Sequence, residues 1–220
     1  MQEITYPVRI FYSKTGRARY ISHLDTMRTL TRALRRSGLP FWYTQGFNPH
    51  LYLTFPLPLA LGVESHCEIV DLRLTEQMDC PALKDTVNNH LPPGFEAKSA
   101  AAPVLSATAI AWAEYRLEFC AQLDRQKMVA EAVKALFERQ TVPVRKKTKK
   151  GEQEMDIRPH MELLSLEEGE SLSCGLRLAA GTSLNVAPRL VLEALGLELP
   201  PGSVKVLRTG VLDEKFAQFA

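Results

Sequence analysis

The chain has 220 residues, of which 45% are hydrophobic and 24% are charged, and its formal net charge is +2. This ordinary globular composition excludes a wholly disordered chain and supplies enough apolar residues for a core. Because the charges nearly cancel, any binding of an anion must come from local clusters of basic residues.

The first half of the chain predicts the order strand, helix, hairpin, helix, strand. The predicted elements are a strand at 8–12, a helix at 22–37, extended segments at 41–43 and 52–55, a strand at 67–74, a helix at 79–90 and a strand at 95–104. Ser22 is suited to cap the first helix, and Gly38 to end it. The apolar stripe of this helix is predicted to be Leu24, Met27, Leu30 and Leu34.

The second half predicts a similar order. Its elements are a strand at 115–120, a helix at 124–140, a long hairpin at 142–166 around Gly151, a strand at 172–179, a helix at 185–195 and a strand at 204–207. The apolar side of the first of these helices is predicted to be Met128, Val129, Ala132, Leu136 and Phe137.

Short sequence matches relate the two halves. The tetrapeptide Leu-Pro-Pro-Gly at 91–94 recurs at 199–202, and Leu-Arg-Leu at 72–74 recurs at 176–178. Both offsets are close to half the chain length, and Phe11 and Phe119 follow the same spacing. We therefore expect an α+β fold made of tandem duplicated ferredoxin-like (βαββαβ) halves, at 1–105 and 110–220, with a linker at 100–111.

Three basic segments are candidates for binding a nucleic-acid backbone. Their residues are Lys14, Arg17 and Arg19 in the loop before the first helix, Arg28, Arg32, Arg35 and Arg36 on that helix, and Arg145, Lys146, Lys147, Lys149 and Lys150 in the predicted hairpin. The arginines recur at helical spacing opposite the apolar stripe, and the only acid on their helix is Asp25. Amides at the start of the helix would also favour an anion. An ordinary solvated surface is the alternative for each segment.

Aromatic residues are frequent in the segment 41–55. Most of these rings are expected in the core, but Phe47 and Tyr52 are candidates for stacking on nucleic-acid bases.

His23 and His50 are the weak candidates for acid–base catalysis. A pair of histidines can cleave RNA without a metal, one as base and one as acid, although structural or solvated roles are the alternative. The four cysteines, Cys67, Cys80, Cys120 and Cys174, are too scattered for a zinc site or an iron–sulfur cluster. We therefore expect no metal and no cofactor.

Several sequence motifs carry a family resemblance. They are FYSKTGRARYISHLD at 11–25, RALRRSGLP at 32–40, QGFNPH at 45–50, PLPLALGVES at 56–65 and MDIRP at 155–159. Together they closely resemble the radical SAM-linked protein family, a bacterial domain of unknown function. The resemblance implies association with a radical SAM enzyme, either as a separate protein or as a domain fused behind one that has a B12-binding-type module. The CxxxCxxC motif of the enzyme itself is absent from this chain.

These observations predict an RNA-binding or adaptor protein that acts with a radical SAM enzyme in RNA modification or processing and has no catalysis of its own. One alternative is a metal-independent endoribonuclease of the tandem ferredoxin-like type that uses His23 or His50. Another is a module that binds a small molecule or a protein. With no signal-peptide pattern and no long apolar run, we expect a cytoplasmic protein without membrane contact.

Overall fold

A computed structural model describes residues 4–120, 123–148, 151–182 and 184–219 of the chain. It divides into two units, 1–110 with 218–220 and 111–217. The described residues form four α-helices and ten β-strands, so the fold is α+β, as the sequence predicted.

The first unit follows the predicted order of elements. They are β1 (Tyr6–Lys14), α1 (His23–Arg36), β2 (Leu53–Thr54), β3 (Val63–Leu74), α2 (Cys80–Asn88) and β4 (Phe95–Ala101). The strands lie in the order β4–β1–β3–β2, and each neighbouring pair is antiparallel. Alternate residues of β1, Val8, Ile10 and Tyr12, belong to the same buried apolar cluster as Leu30 and Leu34 of α1.

Helix α1 begins and ends where the sequence predicted. The Ser22 hydroxyl accepts a hydrogen bond from the Asp25 amide at 3.1 Å, which satisfies one of the free amides of the first turn. Gly38 follows the helix at a φ of +69°, a conformation that side chains disfavour. The buried stripe of α1 differs from the predicted one, because Leu24 is 53% exposed. Leu24 lies about 120° around the helix from Leu30, and this angle takes it off the buried face.

The second unit repeats this order with an inserted hairpin. Its elements are β5 (Trp112–Phe119), α3 (Leu123–Glu138), β6 (Pro143–Thr148), β7 (Gly151–Asp156), β8 (Met161–Glu167), β9 (Leu172–Ala179), α4 (Pro188–Ala194) and β10 (Val204–Leu212). The main strands lie in the order β10–β5–β9–β8, again antiparallel. On α3, Val129, Val133 and Leu136 are buried, whereas Met128, which was predicted on the apolar side, is 47% exposed.

The predicted hairpin at 142–166 was wrong in extent. Only β6 and β7 pair with each other, in a separate two-stranded sheet. A 3₁₀ turn at Arg158–His160 follows, and β8 then pairs with β9 instead. The side chain of Asp156 closes the hairpin, because its Oδ1 accepts hydrogen bonds from the amides of Val142 at 2.7 Å and Arg158 at 3.0 Å.

Candidate nucleic-acid interface

The outer face of α1 carries four exposed arginines. These are Arg28, Arg32, Arg35 and Arg36, and they lie opposite the buried residues Thr26, Leu30, Ala33 and Leu34. From residue 26 to residue 63 the chain contains these four arginines and no acid. We call these four residues the arginine face. Its positive charge is therefore not offset by acids of the same segment.

The contacts of the arginine face leave it open to solvent. Arg28 lies 3.2 Å from Asp25, but both side chains are more than half exposed, so this ion pair is weak. Arg36 donates to the carbonyl oxygen of His90 at 2.9 Å. Arg32 forms no ion pair with any residue that the structure describes. All of these guanidinium groups keep donors that can reach a phosphate.

The loop from Tyr43 to Leu51, which we call the aromatic loop, adjoins the arginine face. Tyr43 pairs with Leu51 as an isolated β-bridge, and between them the Thr44 amide donates to the His50 carbonyl at 2.8 Å. The guanidinium carbon of Arg35 lies 5.7 Å from the centroid of the Tyr43 ring. One end of this loop therefore lies against the arginine face, within the first unit.

The two candidate stacking residues have different surroundings. Phe47 lies near the middle of the loop with a relative exposure of 105%, so its ring is fully available. Tyr52 is half-buried, with its ring edge-on to Trp42 at 5.7 Å and the Arg73 guanidinium 4.7 Å from its centroid. Because the Tyr52 ring is already in these two contacts, Phe47 is the better candidate for stacking on a base.

Lys14 does not belong to an exposed basic surface, which corrects the sequence prediction. It is 1% exposed at the end of β1, and its ammonium group donates to the carbonyl oxygen of Ile21 at 3.0 Å. Burial lowers the pKa of Lys14, and the charge of Glu68, which is 3% exposed, partly offsets this effect.

The segment after Lys14 also differs from the predicted anion-binding loop. It forms a 3₁₀ turn at Gly16–Tyr20, and the Gly16 amide donates to Glu64 Oε1 at 2.8 Å. The Arg19 guanidinium lies 3.5 Å from the same carboxylate and donates to the Tyr20 hydroxyl at 2.6 Å. Glu64 therefore holds the position that an external anion was predicted to take, and Arg17 is the exposed cation that remains.

The start of α1 is likewise occupied by the chain itself. The Ser22 hydroxyl donates to Asp25 Oδ2 at 2.7 Å while it caps the helix. This hydrogen bond is the main cause that lowers the pKa of Asp25, with Arg28 as a second cause. The carboxylate thus supplies negative charge at the positive end of the helix.

The basic hairpin in the second unit faces acids across its strands. Arg145 is exposed and opposes Glu154, while Lys147 opposes Glu152 in the backbone register. The side chains of Lys146 and Lys147, and all of Lys149 and Lys150, lie outside the described residues. A positive hairpin was predicted, but two of its basic positions are paired in register with acidic ones.

His23 and His50 have separate surroundings in the described chain. His23 is half-buried, with its ring edge-on to Phe55 at 5.1 Å. Burial first, and then the charge of Lys14, lower the pKa of His23. His50 is exposed, and its Nδ1 lies 2.9 Å from Thr44 Oγ1 and 3.2 Å from the Asn48 carbonyl oxygen. The contacts of the two rings share no residue.

The four cysteines are free thiols. Cys174 is buried, which raises the pKa of its thiol to about 12. Among the described residues, no group of three or more His, Cys, Asp or Glu side chains is arranged to hold a metal ion.

A cavity of about 360 Å³ lies within the second unit. Its walls include Phe119, Met128 and Leu199, with Arg125 and Ser203 as polar members. The Ser203 hydroxyl is buried and has no hydrogen-bond partner among the described residues. A buried polar atom without a partner is costly unless a water or a ligand satisfies it.

The described elements thus define an α+β protein with an arginine-rich surface on its first helix. The chain belongs to the family described as "Uncharacterized protein conserved in bacteria" (DUF2344), which matches residues 8–188. This match confirms the predicted bacterial domain of unknown function, and the link to radical SAM enzymes stays a prediction. No curated protein matches the chain. In the described part of the chain, no helix is both long and apolar enough to cross a membrane.

Proposed function

We propose that this protein binds RNA through the arginine face of α1 and the aromatic loop beside it. The observation that carries the proposal is the contact of Arg35 with Tyr43, which joins an exposed row of guanidinium groups to a loop bearing an exposed phenylalanine. Phosphates suit the arginines and bases suit the ring, so both chemical parts of RNA have a counterpart on one unit.

The proposal includes a role beside a radical SAM enzyme in RNA modification or processing, without catalysis by this chain. The resemblance of its motifs to the radical SAM-linked proteins supports this partner. We also propose that the two units are duplicated ferredoxin-like halves. The strand orders β4–β1–β3–β2 and β10–β5–β9–β8, with equivalent helix positions, support the duplication.

Cross-linking tests the proposed function in cells. Ultraviolet light is applied to bacteria that carry the tagged protein, and the RNA that co-purifies under denaturing conditions is sequenced. We expect defined RNA species with the natural chain and a strong loss when Arg32→Gln and Arg35→Gln are combined. The control combines Lys127→Gln with Arg139→Gln, which removes two exposed positive charges from the second unit. An equal yield from all three proteins would contradict the proposal.

The radical SAM partnership has its own test. Size-exclusion chromatography of the chain mixed with a B12-type radical SAM enzyme from the same bacterium should show a joint peak that RNA stabilises. Separate elution, with and without RNA, would remove the adaptor role and leave RNA binding to be judged on its own.

The endoribonuclease is the first alternative. The lowered pKa of His23 favours the neutral imidazole, which can act as a base but is a poorer acid at neutral pH. We therefore expect no cleavage when the protein is incubated with cellular RNA in EDTA. Specific cuts that disappear in His23→Ala or His50→Ala would establish the ribonuclease instead.

The cavity in the second unit favours a small-molecule module as a further candidate. A ligand there would contact apolar walls and could satisfy the Ser203 hydroxyl. Native mass spectrometry of protein purified from its own bacterium tests this function. A reproducible added mass that is lost in Ser203→Ala would support it, and the mass of the bare chain would count against it.

A further inference from the structure

Phe47 is an apolar side chain that the fold does not use. Its relative exposure is 105%, and residues 45–50 are all exposed. An isolated aromatic ring in water contributes nothing to the core of its own protein. A single exposed apolar residue is common on protein surfaces, so the chemistry of its neighbours decides which molecule this ring contacts.

The loop that carries Phe47 is closed by several hydrogen bonds. Besides the backbone bond between Thr44 and His50, the His50 amide donates to Thr44 Oγ1 at 3.1 Å, and the His50 ring nitrogen Nδ1 lies 2.9 Å from that oxygen. Below them, the Tyr52 amide donates to the Trp42 carbonyl at 3.3 Å. These hydrogen bonds hold the two ends of the loop in place. Less conformational entropy of the loop is therefore lost when the Phe47 ring binds another molecule.

The charge around the aromatic loop favours a negatively charged molecule as the partner of the Phe47 ring. The contact of Arg35 with Tyr43 lies at one end of the loop, and the segment 26–63 has no acid. A phosphate backbone held on the arginine face would bring its bases close to this loop. An acidic environment would have excluded the same backbone.

The structure of RNA then indicates which kind of RNA the Phe47 ring can contact. In a duplex, each base is stacked above and below and paired at its edge, so a ring standing out on a loop cannot reach a base face. Bases in single strands, loops and bulges can be turned outward and stacked on an aromatic side chain. A single exposed ring suits one such base.

We infer that Phe47 stacks on an unpaired base of an RNA strand whose phosphates lie on the arginine face. The substrate class is therefore single-stranded or looped RNA, and duplex RNA is bound only through its phosphates. This inference rests on the proposed RNA binding and adds the choice between unpaired and paired RNA. Insertion of Phe47 into a pocket of a protein partner is the competing outcome.

The test measures the affinity for three labelled RNAs by fluorescence anisotropy, each about as long as one turn of an RNA helix. They are a single strand, the same strand in a duplex, and the same strand with its bases removed. The proteins are the natural chain, Phe47→Ala, Phe47→Trp and the control Leu61→Ala, which shortens another exposed apolar side chain of the first unit. Circular dichroism establishes that each variant is folded.

We expect the natural chain to bind the single strand about tenfold more tightly than the duplex or the abasic strand. Phe47→Ala should lose this preference, while Phe47→Trp and Leu61→Ala keep it. Equal affinity of Phe47→Ala and the natural chain for the single strand would overturn the inference, as would equal binding of single strand and duplex by the natural chain. Binding of none of the RNAs by the natural chain would instead overturn the proposed function itself.

Discussion

The 14–20 segment and the arginine face of α1 are neighbours in sequence and both basic, yet the fold uses them differently. Lys14 is buried and Arg19 lies beside Glu64, whereas the arginines of α1 are exposed along a segment that contains no acid. The difference comes from β3, which brings Glu64 and Glu68 to the first segment from about fifty residues away. Basic residues that are close together in sequence are paired from within where the fold brings an acid to them, as β3 does for the first segment.

The β6–β7 hairpin supports the same conclusion from the second unit. Two of its basic positions, Arg145 and Lys147, oppose Glu154 and Glu152 in the backbone register. Among the described residues, the ion pair of the arginine face is the exposed contact of Arg28 with Asp25, and the proposed function is based on this face.

The largest expected effect is a difference in the free energy of unfolding between a variant of the buried Lys14 and a variant of the exposed Arg17. Lys14→Met should destabilise the protein by about 3 kcal/mol, because it leaves the Glu68 carboxylate buried without its neighbouring positive charge. Arg17→Met, the matched change at an exposed position, should stay within about 0.5 kcal/mol. Urea unfolding followed by circular dichroism measures both. Similar values for the two variants would mean that Lys14 has no role in the core.

An intermediate effect tests whether the start of α1 is closed by its own side chains. Ser22→Ala removes the acceptor for the Asp25 amide and the donor to the Asp25 carboxylate, and should cost about 1 kcal/mol. Ser99→Ala, at an exposed position of β4, is the control and should change little. Phosphate ions should stabilise the natural chain less than they stabilise the Ser22→Ala variant. Equal stabilisation of the two proteins by phosphate would mean that the start of α1 is open to anions in the natural chain.

The smallest effect concerns pH. Because burial and Lys14 lower the pKa of His23, the folded chain binds a proton there less readily than the unfolded chain does. Stability should therefore fall as the pH drops below the ordinary value of 6.5 toward the lowered pKa. His23→Gln should flatten this part of the profile of melting temperature against pH. An unchanged profile between pH 7 and pH 5 would show that His23 titrates as in the unfolded chain.

Local patterns predicted the elements well. The Ser22 cap and the glycine after α1, and Asp79 with Pro81 at the start of α2, are signals contained within a few residues. The first unit's order of elements followed from such signals. The extent of the 142–166 hairpin did not, because the pairing of β8 with β9 is a contact between strands that neither strand specifies alone.

The candidate site was predictable in part for the same reason. The arginine face follows from helical periodicity, which is local. The burial of Lys14 beside Glu68 and the contact of Glu64 with Gly16 depend on the register of β1 against β3, which single-strand patterns do not contain. Arg9 was not singled out at all, although its buried guanidinium bonds Asp71 at 2.7 Å across the same two strands.

The dependence of RNA binding on salt tests the central claim most directly. The affinity for a labelled single strand is measured from low to physiological salt for the natural chain, for Arg32→Gln with Arg35→Gln, and for the control Lys127→Gln with Arg139→Gln. If both arginines contact phosphates, the first variant should lower the slope of log K against log salt by about 1.4, and the control should leave it unchanged. Equal slopes for all three proteins would contradict the account, because the arginine face would then be an ordinary solvated surface.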